Sequence, residues 1–286
     1  MKNSGFVCLR FLFLTLLLLG GTYLFALDQE IIQDLRDIRA RMSQVLEAED
    51  YEEALRISEE IHQLTVDRVG LFSISYYEAP EERKKAMDNF LWIHWWRAQI
   101  FYYFLDDPKQ ALNGYGVVFQ YQHNPSYAVF VNYAHALWET DRRTESIEVL
   151  RRGIGRVKDS NKPYIYWHLG WYYFLEGNLE KTVQCGEESY QIDKTLSAPL
   201  FNTATAYFSM GDDSRGLGWF GLALAAGFSE NQGNSGIFKA AIDDLKSLQE
   251  NKRDSPGITT ALALLYCIDG KEEEARRLLP DSSGNT

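Results

Sequence analysis

The chain has 286 residues, 45% of them hydrophobic and 14% aromatic, with 40 acidic side chains against 29 basic ones. That apolar fraction supports a substantial core and is too high for a disordered chain. A formal charge of −11 weighs against nucleic acid or an anionic lipid surface as the main partner, since both are recognised through clustered cations.

Residues 1–26 read as a segment of their own. Lys2 and Arg10 flank or precede an uncharged apolar run from Phe11 to Ala26, the pattern of an export signal. Leu24 stands where a small residue is usual before a cleavage site. The run also falls short of the ~20 residues that span a bilayer comfortably. Two outcomes stay open: a cleaved signal with a periplasmic product, or an inner-membrane anchor facing the periplasm. In the second case the membrane is touched only through this segment. Without residues 1–26 the basic count drops from 29 to 27 against 40 acidic, a formal charge of −13. Of the three cysteines, Cys8 precedes the apolar run and is not placed as a lipobox cysteine. Cys185 and Cys267 fall in separate predicted helices and read as two buried thiols rather than a disulfide framework.

Beyond this segment, scarce proline and the lack of alternating strand pattern predict an α-rich chain. Short polar turns followed by a small residue recur. The first is "LEAEDYEEAL" at Glu49, followed by an insertion from about 65 to 87, "GLFSISYYEAPEERKKAM" within it predicted as a loop and a short helix. Then come "FLDDPKQAL" at Asp106, "WETDRRTESI" at Asp141, "FLEGNLEKT" at Gly177 and "SMGDDSRGL" at Gly211, in steps of 35, 36 and 34 residues. A second insertion, Ala226 to Ser255, reads as a variant helix pair or a connector, and "CIDGKEEEA" at Gly270 closes the series.

Two columns of small residues accompany these turns. Five positions after each stands Ala54, Ala111, Ser146, Thr182, Gly216 or Ala275; seven before stands Ala134, Gly170, Ala204 or Ala263, with Gln99 and Met42 departing. Antiparallel helices approach closely only where side chains are small at the crossing. Tyr166, Leu169, Gly170 and Tyr173 match W-x2-L-G-x2-Y with Tyr in the Trp place. Period and columns together resemble the tetratricopeptide repeat (TPR). The resemblance implies an all-α, right-handed α-solenoid of about six TPR-like helix pairs over residues 27–280, with the two insertions and a flexible tail at 281–286. Arg41 and Gly186 depart from it, the latter standing where a large residue is expected.

No motif carries chemistry. "GLGWFG", Gly216 to Gly221, has dinucleotide spacing but falls inside a predicted second helix, where Gly216 serves the crossing. His62, His94, His123, His135 and His168 lack H-E-x-x-H spacing, and no C-x-x-C or G-x-S-x-G exists. The expectation is therefore no catalytic residue, no metal and no cofactor. The TPR resemblance instead places a partner-binding groove on the first helices. Its candidate residues are Trp96 and Tyr103, His135 and Trp138, Trp167, Trp171 and Phe174, and Phe201 and Phe208. The Lys and Arg of peptide-clamp relatives are missing there. Aromatic anchors suit an apolar or helical segment of a partner protein, although the same rings could pack on neighbouring repeats. The expectation is a non-enzymatic scaffold of the bacterial cell envelope, of the kind that assembles pilus, secretion or flagellar-motor machines. The alternative is a periplasmic component that passes a small apolar molecule or lipid to a transporter.

Overall fold

All six turn positions adopt the left-handed backbone in the computed structural model. Gly177, Gly211 and Gly270 have φ of 73°, 79° and 73°, and Glu49, Asp106 and Asp141 have φ of 57°, 52° and 61°. Five of the six, all but Asp106, end a helix in the same way. The N–H one residue past the turn donates back to a carbonyl in the last helical turn: Arg142 to Leu137 and Asn178 to Tyr173 at 2.8 Å, Asp212 to Tyr207 at 2.9 Å, and Lys271 to Tyr266 at 2.8 Å. This 6→1 closure requires a left-handed residue between helix and turn. The residue that donates it then caps the next helix in four of the six turns, where Asp50, Asp107, Asn178 and Asp212 each accept a backbone N–H. One local signal thus stops one helix and starts its antiparallel partner.

The structure describes residues 31–61, 71–72, 75–229, 236–250 and 255–279. The apolar run of residues 1–26, His62 and the tail at 281–286 lie outside them. The helices are α1 (31–47), α2 (Tyr51–Glu59), α3 (Glu81–Gln99), α4 (Pro108–Tyr121), α5 (Tyr127–Glu139), α6 (Arg143–Ile154) and α7 (Lys162–Leu175). They continue with α8 (Leu179–Ile192), α9 (Ser197–Ser209), α10 (Asp213–Ser229), α11 (Gly236–Glu250), α12 (Pro256–Ile268) and α13 (Glu272–Leu278). Strands are absent among the described residues.

The small columns meet at the helix crossings. The Ser146 hydroxyl donates to the Ala134 carbonyl at 2.8 Å and Thr182 to the Gly170 carbonyl at 3.2 Å. A Cβ on Gly216 would lie 2.5 Å from the Phe208 ring. "GLGWFG" is thus a packed stretch of α10, and its first glycine is needed for helix approach. Gly186 has the same cause: a Cβ there would fall 1.7 Å from Thr203 Oγ1, so the missing large side chain is what admits α9.

The second helix pair departs from the sequence register. Ile100–Phe104 forms a π turn after α3, and Asp107 N–H closes onto Phe101 at 2.8 Å, six residues back rather than five. The additional residue moves the small crossing position from Gln99 to Ala98, which is fully buried and sits where a Cβ on Gly114 would lie 2.9 Å away. The first insertion also differs from expectation. "EERKKAM" is not a separate short helix but the opening turns of α3. In the second insertion α11 buries Phe238, Ala241, Ile242, Leu245 and Leu248, a helical apolar stripe that joins the core.

The helices fall into two compact units, one carrying α1–α4 and the other α5–α13 up to small boundary exchanges. Leu35, Met42, Ile61, Phe90 and Ile93 centre the first core. Leu200, Phe208, Phe220, Ile258 and Leu262 centre the second. Cys185 is buried as expected; Cys267 is exposed, correcting the expectation of two buried thiols. Among the described residues no helix is long and apolar enough to cross a membrane.

Candidate functional site

The stretch "YIYWHLGWYYFL" in α7 presents three aromatic faces, and helical geometry separates them. Residues spaced i, i+4 and i+7 share a side of a helix turning 3.6 residues per turn. Trp167, Trp171 and Phe174 therefore form one face. His168 and Tyr172 form a second, and Tyr166, Leu169 and Tyr173 a third, roughly 130° from the first on the same geometry.

The second face holds α5 against α7. Trp138 lies flat on Tyr172, ring centroids 4.2 Å apart and planes 6° from parallel. His135 Nε2 meets His168 Nδ1 at 3.1 Å, so one imidazole nitrogen donates and the other accepts. Burial, reinforced by His135, pushes the His168 pKa down to about 3. The His168 imidazole is neutral near pH 7 and serves as packing. Arg143 stands over the open side of Trp138 at 5.3 Å from its centroid and reaches Glu176 at 3.7 Å.

The first face is the part left half-exposed. Trp171 and Phe174 lie nearly parallel, 17° apart, with centroids separated by 5.6 Å. Trp167 stacks beside His168 at 4.5 Å. All three rings are half-buried, supported from below by the His–His and Trp–Tyr contacts. Phe174 additionally packs against Val183, Ala206 and Tyr207, which ties the wall to α9. On α9 itself the side-chain amide nitrogen of Asn202 is buried with no hydrogen-bond partner among the described residues. A buried donor of this kind costs stability unless something accepts from it.

The candidate groove residues divide accordingly. His135, Trp138, Trp167, Trp171 and Phe174 come together on α5 and α7. Phe201 and Phe208 do not join them: they are 5% and 2% exposed, core side chains drawn in because Gly216 lets α10 close onto Phe208 and α11 supplies Phe238 against Phe201. In the first unit, Trp96 packs with Trp92 against the core of α1–α3. Tyr103 is 58% exposed in the π turn, with its ring edge-on to Tyr102 at 4.8 Å. One contributor is not among the sequence candidates for the groove, His168, which buttresses Trp167 from the neighbouring face. It stands nine residues before a turn, as Asn132 and Asn202 do, and that polar column was the available signal.

Solved structures supply the fold comparison. The chain matches the crystal structure of MamA with a TM-score of 0.51 at 14% identity, covering 67% of this chain and 96% of that one. A MamA double mutant gives 0.52 at 14% identity over 70% and 97%. The C-terminal part of a TPR repeat-containing protein from Cytophaga hutchinsonii gives 0.50 at 15% identity over 87% and 96%. The chain has the tetratricopeptide-repeat fold. No family model matches the sequence, and no protein of curated function does. TPR architecture accounts for the site's construction: first helices stack side by side, which brings the aromatic residues of α5 and α7 together. The described residues hold no group of three metal-ligating side chains. The arrangement suits contact with an apolar surface.

Proposed function

We propose that this chain is a non-enzymatic protein-interaction scaffold that holds an apolar or helical segment of a partner protein on the wall formed by Trp167, Trp171 and Phe174. The TPR fold supports a role in binding proteins. The observation that carries the finer reading is the wall itself: three half-exposed rings on one helical face, held rigidly by packed neighbours. Trp and Phe present large contact area at low entropic cost and dominate the energy of many interfaces. The signal-like pattern of residues 1–26 supports export, to the periplasm or to the inner membrane facing it. Together they favour service in assembling an envelope machine.

The test is affinity capture from the native envelope with the unmutated chain and with Trp167→Ala/Trp171→Ala. A protein recovered only by the former, at unchanged helicity of the variant, supports the proposal. Equal recovery by both contradicts it. Recovery of a co-purifying lipid or small molecule in place of a protein would favour the ligand-binding alternative.

A further inference from the structure

We draw no further inference here: the strongest candidate, the apolar surface patch of Tyr103, Phe104 and Leu105 at the π turn after α3, carries none because nothing in the structure shows what covers it.

Discussion

Substituting Gly186 by alanine probes how closely α8 and α9 approach. The added Cβ would sit 1.7 Å from Thr203 Oγ1, 3.0 Å from Thr203 Cβ and 3.3 Å from the Pro199 carbonyl oxygen. Rotating Thr203 relieves the first contact, but it breaks the bond its hydroxyl donates to Pro199 O at 2.8 Å. The other two contacts involve atoms that rotation does not move, so the helices must separate by several tenths of an ångström. Overpacking of this kind costs about 1–3 kcal/mol, and the lost buried hydrogen bond adds about 1. Replacing a mid-helix glycine by alanine returns roughly 0.5–1 kcal/mol. The expected outcome is a loss of about 1–3 kcal/mol, which for a domain of this size lowers the melting temperature by roughly 2–12 °C. Urea denaturation followed by circular dichroism measures it. Adding Thr203→Ala should recover at least about 1 kcal/mol as a coupling energy between the two sites. A stability gain in Gly186→Ala alone, the size of the helix-propensity term, would refute the close crossing.

Other expectations concern the turns and two half-buried titratable groups. Gly177→Ala places a side chain at φ 73° with no atom within 4 Å of the new Cβ; the cost is conformational only, about 1 kcal/mol, while Asp141→Gly should be neutral or stabilising in the same melts. His168 has a folded pKa near 3 against an ordinary value of 6.5, so the unfolded chain takes up its proton first. Stability should be fully present above pH 6.5 and fall, by at most about 1.4 kcal/mol per pH unit, as pH drops toward 3; His168→Phe should flatten that limb of a pH series of urea melts. Asp244 behaves oppositely, because burial and the adjacent Asp243 raise its pKa to about 6. Its penalty is absent below the unfolded value of 3.8 and grows as pH rises through 6. Asp244→Asn should therefore stabilise the chain by about 1 kcal/mol at pH 7, after allowance for solvent screening, and leave it unchanged near pH 3.

The turn positions were legible in sequence because their requirements are local. A residue must tolerate positive φ at all six, and at four of them the next residue also caps a helix. Glycine, aspartate and asparagine dominate those places for reasons that need no tertiary context. The π turn at Ile100–Phe104 was not legible: one additional backbone residue leaves no compositional mark beyond Gln99 standing where a small residue belongs. The aromatic wall was legible in part. Spacing put Trp167, Trp171 and Phe174 on one side of α7, but whether a ring at that position is exposed depends on what packs over it. Phe201 and Phe208 share the same columns and are buried, since α10 and α11 cover them. Gly186 looked like a defect in the repeat and proves to be the place where the neighbouring helix enters.

Photo-crosslinking in the native envelope tests the central claim most directly. A benzoylphenylalanine at Trp171 on the wall would be compared with one at Leu222, 39% exposed on α10, each in the full-length chain. The account predicts a discrete crosslinked protein from position 171, absent from position 222 and mapping to an apolar segment of that partner. The same adduct from both positions, or none from 171 while 222 captures a partner, would contradict it.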